Sequence, residues 1–139
     1  MKTIIGTLVV AFFLSIPNSF AGGKLYKNVI EDKEKHTVTT TVCKGENDMN
    51  LVPLTECVLQ YNTDGSLKER ISYKWESRKK TWVAYQKYMY EYDKGSLTAI
   101  SYVEWNKSTK AWGNDIQYVM YVYDSKTDLL TVTSNSQNK

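Results

Sequence analysis

The strongest constraint on this chain is an internal echo: Trp75-Glu-Ser-Arg-Lys-Lys-Thr-Trp82 returns as Trp105-Asn-Lys-Ser-Thr-Lys-Ala-Trp112. The offset of 30 also relates Gly65 to Gly95 and Leu67 to Leu97, and residues 88–93 match 119–124 at an offset of 31. A third, truncated copy follows at 124–130, without a glycine or a later Trp unit. A tandem unit of this length implies one supersecondary element laid down repeatedly.

Each copy has the pattern of strands. In 67–75, Ile71, Tyr73 and Trp75 alternate with Lys68, Arg70, Ser72 and Lys74, the period-two signature of a half-buried strand. Runs 83–93 and 115–124 are rich in the aromatic and β-branched residues that suit a pleated surface. Asp64-Gly65-Ser66 and Lys94-Gly95-Ser96 are hairpin signals, because glycine accepts the positive φ of a tight turn. If 77–80 and 107–110 are four-residue loops, Trp75 lies directly opposite Trp82, and Trp105 opposite Trp112. Opposed aromatics fix hairpin register and contribute roughly 0.2–1 kcal/mol over alanine.

The pattern predicts an all-β chain: an antiparallel meander of about eight strands at 24–30, 36–43, 55–62, 67–76, 82–93, 97–106, 112–124 and 129–134. Such a sheet is curled, folded into a sandwich, or closed like a barrel. Strands 82–92 and 115–124 carry apolar or aromatic residues on both sides, with Tyr88, Tyr90 and Tyr92 opposite Tyr85 and Met89. A phase slip between Ile100/Tyr102 and Val103/Trp105 suggests a bulge near Tyr102–Val103, and the tail 134–139 is expected to fray.

The N-terminus has the pattern of a targeting signal. Lys2 precedes an apolar stretch over 4–16, and Ser19-Phe20-Ala21 is a small-x-small cleavage site. The apolar run is shorter than the roughly 20 residues a spanning helix needs. The expected division is a signal peptide at 1–21 and one domain at 22–139, extracytoplasmic and not inserted in the membrane. The full chain carries +3; without Lys2, 17 cations face 15 carboxylates, giving +2. That balance argues against nucleic acid as a partner. Cleavage would also remove Phe12, Phe13 and Phe20, all three phenylalanines, and leave aromatics that each have a polar handle. Such rings suit half-wet positions. In an oxidising compartment Cys43 and Cys57 are expected to pair, closing a loop of about 15 residues worth roughly 3 kcal/mol.

The Tyr-x-Tyr-Asp-x-Gly-Ser-Leu pattern, the aromatic strand after it and the Trp-x6-Trp unit, over about 55–124, resemble an uncharacterised family of small secreted proteins from Bacteroidales-type bacteria. The same tyrosine–aspartate phrase is similar to repeats of large secreted toxin shells, which lack the Trp unit. Either resemblance implies an extracytoplasmic antiparallel β-repeat fold, and the first offers no known activity or catalytic residues to carry over.

No catalytic, cofactor or metal motif stands out. His36, the sole histidine, has no Gly-x-Ser-x-Gly companion and reads as a strand residue. Glu91 with Asp93, or Glu69 with Glu104, could be paired acids only if a cleft held them about 5–9.5 Å apart, and Asp93 sits where a turn cap belongs. The reading is a non-enzymatic protein whose Trp75, Trp82, Trp105, Trp112, Tyr88, Tyr90 and Tyr92 offer a surface for a glycan, peptide or envelope protein. The alternative is a structural protein that assembles through edge strands 24–30 or 129–134.

Overall fold

Period-two alternation and short polar turns carry nearly the whole chain into one antiparallel sheet. The computed structural model describes residues 14–20, 23–123 and 130–138. Its strands are β1 (Leu14–Phe20), β2 (Gly23–Asp32), β3 (Thr37–Gly45), β4 (Val52–Tyr61), β5 (Leu67–Glu76), β6 (Thr81–Asp93), β7 (Ser96–Asn106), β8 (Ala111–Trp112), β9 (Asp115–Tyr123) and β10 (Leu130–Asn138). The ladder runs β1-β2-β3-β4-β5-β6-β7-β9-β10, with β8 on β7. Extensive strand-to-strand contacts involve only neighbours in this ladder. The sheet is therefore a single open layer, neither a sandwich nor a closed barrel.

Turn chemistry sets the register. The loops at 33–36, 77–80 and 107–110 each have four residues and end in a left-handed residue: His36 (φ 53°), Lys80 (φ 48°) and Lys110 (φ 51°). Two of these loops are held by the side chain just before them. Asp32 Oδ1 accepts from the N–H groups of Glu34 (3.1 Å) and Lys35 (3.0 Å), and Asn106 Oδ1 accepts from those of Ser108 (2.9 Å) and Thr109 (3.2 Å). The Lys35 amide is the main reason the Asp32 carboxyl titrates below its usual range. His36 thus closes a turn and does not begin a strand as its sequence context suggested. The β6–β7 connection is the two-residue turn Lys94-Gly95, with φ of 47° and 82°, the left-handed pair that matches strand twist.

Bulges correct the phase. Gln60 pairs with Glu69 and Tyr61 with Leu67, leaving Lys68 as the extra residue. Glu91 pairs with Ala99 and Tyr92 with Leu97, leaving Thr98, which is 30 positions on. A third bulge at Tyr85 follows from Ser72 pairing with Gln86 and Tyr73 with Ala84. The expected bulge at Tyr102–Val103 is absent, because β6–β7 pairing is continuous from Glu91–Ala99 to Gln86–Glu104. The slip lies across the ladder instead, where residues 113–114 separate β8 from β9. Gly113 N–H donates to the Glu104 carbonyl there at 2.8 Å, and a Cβ on Gly113 would come within 3.1 Å of that oxygen.

Other expectations also change. Residues 134–138 do not fray but continue the β9–β10 ladder to Asn138–Asp115. The third copy falls almost wholly within 124–129, outside the described residues. β1, inside the segment expected to be a signal, lies along β2, with Leu14 opposite Lys27 and Ile16 opposite Leu25. Cys43 and Cys57 are free. Cys43 sits opposite Pro53, whereas Cys57 sits opposite Thr40, so the two thiols lie on opposite faces. Cys57 is four residues beyond Pro53, about 13 Å along the strand at about 3.3 Å per residue. A disulfide needs Cα atoms within about 7 Å, so this hairpin register forbids the bridge.

With no second layer, burial is sparse. Among the described residues only Ala99, Val103, Ser72 and Ser101 are buried. Three of them are small side chains on one face of central β7, flanked by longer ones. Ser101 lies between Met89 and Tyr118, and Val103 lies beside Lys87. The nearest thing to a core is therefore the shaded floor of β7.

Candidate functional site

The registers sort the aromatic residues onto two faces. Trp75 is opposite Trp82, and Trp105 opposite Trp112. Continuing the alternation through Ile71–Lys87 and Lys87–Val103 places all four indoles on one face, the Trp face. Tyr88 pairs with Arg70 and Tyr102, and Tyr90 with Ile100, so Tyr88, Tyr90 and Tyr92 occupy the other face, the Tyr face. The seven predicted site residues are thus not brought together as one surface.

On the Trp face the indoles meet edge to face. Both pairs have centroids 5.1 Å apart, at interplanar angles of 69° and 81°, the arrangement the aromatic quadrupole favours. Lys87 Nζ lies 4.6 Å from the Trp112 ring centroid. Each indole is partly spent on its partner, which makes these pairs clamps of the two hairpins.

The Tyr face is built differently. Tyr88 and Tyr102 stand 4.9 Å apart, tilted by 48°. The Arg70 guanidinium is 5.8 Å from the Tyr88 ring centroid, and Lys74 Nζ is 4.4 Å from that of Tyr85. The neighbouring Cys57 side chain pushes the Arg70 pKa further up. Tyr85 joins this face because of its bulge, reversing the parity expected from a regular strand. Sequence periodicity has no signal for that residue. Tyr102 O–H donates to Glu104 Oε1 at 2.8 Å. Partial burial, this bond and the neighbouring Glu104, Tyr88 and Tyr85 push the phenol up to about 12. Tyr90 is also raised, mainly by burial and against the opposing pull of Arg70. Tyr92 acts as a brace, since its O–H donates to the Leu67 carbonyl at 2.9 Å and ties β6 across to β5.

The Tyr face ends, at the 77–80 turn, in a groove of about 600 Å³ lined by Lys74, Trp75, Glu76, Arg78, Lys79 and Tyr85, among others. Smaller depressions lie beside the 46–51 loop, where Val52 and Leu54 are exposed, and between the 33–36 turn and Tyr61. Of the acid pairs weighed for catalysis, Glu91 and Asp93 lie two residues apart on β6, whereas Glu69 and Glu104 do not converge. Glu69 is opposite Met89 on the Trp face, while Glu104 is opposite Gln86 on the Tyr face. Among the described residues no three His, Cys, Asp or Glu side chains cluster in a way that could hold a metal.

Known structures share this architecture. The chain is similar to a DUF3836 family protein from Bacteroides vulgatus ATCC 8482, at 19% identity over 80% of this chain and 97% of that one, with a TM-score of 0.54. It is also similar to a protein with unknown function from Bacteroides fragilis NCTC 9343, at 16% identity over 84% of this chain and 94% of that one, with a TM-score of 0.51. At such identities the likeness is one of fold. A search of curated proteins gives no match. The model of the DUF3836 family matches residues 1–124, and the chain belongs to that family, whose function is unknown.

Proposed function

We propose that the protein is a non-catalytic binding module, acting outside the cytoplasm after cleavage near Ala21, and that its ligand lies on the Tyr face. One observation carries this reading: Tyr85, Tyr88, Tyr90 and Tyr102 stand half-buried on an uncovered sheet, with Arg70 and Lys74 beside their rings. Rigid rings with hydroxyl tips supply contact area and hydrogen bonding at small entropic cost. A sugar ring or an extended peptide matches such a shallow platform. The Trp pairs keep the hairpins aligned beneath it. The test is calorimetric titration of residues 22–139 with oligosaccharides and peptides, comparing the wild type with Tyr88→Ala and Trp75→Ala. Binding that is abolished by Tyr88→Ala and only weakened by Trp75→Ala supports the reading. A ligand indifferent to both Tyr88→Ala and Tyr90→Ala overturns it.

A second reading rests on the edges of the sheet. β1 covers β2, so cleavage near Ala21 uncovers β2, while β10 ends the other side of the ladder. Strand directions alternate from β2 to β10, so these two edges run antiparallel and could join copies head to tail. Assembly that rises with concentration and is lost in Thr131→Pro supports this reading; a monomer at all concentrations excludes it.

A further inference from the structure

Resting on the binding-module reading, we infer that the groove beside the 77–80 turn takes an acidic glycan, one bearing carboxylate or sulfate groups on a sugar backbone. Four cations line the groove, Lys74, Arg78, Lys79 and Lys107, against one carboxylate, Glu76. That carboxylate is engaged by Lys79 at 3.6 Å. Lys74, Arg78 and Lys107 have no carboxylate within ion-pair distance among the described residues. The chain as a whole carries only +3, so this excess is local and not a reflection of a basic protein. A site walled by one sign of charge concentrates the opposite sign.

The groove also contains the ring that would give the ligand its class. Tyr85 is turned onto the Tyr face by its bulge and sits beneath Lys74, 4.4 Å from the ammonium. A cation above an aromatic ring offers an apolar face for sugar C–H groups and, next to it, a partner for an acidic substituent. The two tips that meet at the groove come from equivalent loops: Arg78 and Lys79 from 77–80, and Lys107 from 107–110. One turn alone would present half of this charge. The juxtaposition of the two tips, produced by the 30-residue offset, makes the groove a single cationic rim at the end of the tyrosine platform.

The test titrates residues 22–139 with oligogalacturonate, its fully methyl-esterified counterpart, a chondroitin sulfate oligosaccharide and single-stranded DNA of similar charge. The expected result is binding of the two acidic glycans, weakened roughly tenfold as salt rises from about 50 to about 200 mM. Arg78→Glu with Lys107→Glu, both on exposed turns, should reduce that binding by about tenfold or more at low salt. Tyr85→Ala should reduce it in either salt. Equal binding of acid and methyl ester overturns the acidic-ligand inference while the binding-module reading survives. Binding of DNA as tight as that of the glycans, with Tyr85→Ala silent, also overturns it by reducing the groove to a nonspecific cationic surface. Failure of every glycan overturns it outright, and the peptide titrations then decide the broader reading.

Discussion

Tyr102 shows how a single phenol couples this surface to pH. Its hydroxyl is held at 2.8 Å from Glu104, and its ionisation is pushed up to about 12. An unfolded tyrosine ionises near 10, so folding favours the neutral phenol. The associated stability is complete below pH about 10 and is lost as pH rises from there towards 12. We expect thermal stability to fall through that window, and Tyr102→Phe to flatten part of the fall. Melting curves from pH 9 to 12 on both proteins measure the difference; parallel curves would show that Tyr102 does not contribute. Tyr73 and Tyr90, raised chiefly by burial, supply a background of the same sign in both proteins. None of this was legible in the sequence, because Tyr102 and Glu104 become neighbours only once their strand places both on one face. Tyr85 escaped for a related reason: a bulge reverses parity without a residue type that announces it.

At the scale of the hairpin, the x6 spacing of the Trp units was sufficient. Four loop residues and one flanking pair leave the two indoles opposite each other, and both pairs are so placed. With equal centroid separations, the two clamps should contribute alike. Double-mutant cycles on Trp75/Trp82 and on Trp105/Trp112, read by denaturant unfolding, should each give a coupling of about 0.5–1.5 kcal/mol. A coupling near zero in either hairpin would show that its contact is incidental. The cysteines teach the opposite lesson. Their separation in sequence suits a disulfide, but pairing across β3–β4 is decided by parity, and Leu54 is the extra residue between Thr55–Val42 and Pro53–Cys43. The antiparallel order of the strands was readable from turn signals. Whether the layer closes or stacks was not, because residues apolar on both sides of a strand suit a covered sheet and an uncovered aromatic one equally well.

Across the whole molecule, extensive packing is limited to adjacent strands, so stability is close to a sum of local hairpin and neighbour-interface contributions. A packed globule fixes its length, because every element lines a shared interior. The described residues enclose no such interior, which makes the length of the sheet adjustable. Excising residues 77–106 removes thirty positions and joins Glu76 to Lys107. Trp75 and Trp112 are then separated by six residues, and β5 enters a four-residue turn directly. The deletion removes an even number of residues and two successive strands, so both facing and strand direction are kept. We expect the shortened chain to melt cooperatively with a β-sheet circular dichroism spectrum and one indole pair; an unfolded product would mean that the sheet depends on contacts beyond nearest neighbours. Growth and loss of hairpins would then be a simple evolutionary route for this architecture, changing the extent of the exposed platform while leaving the rest of the sheet as it stands.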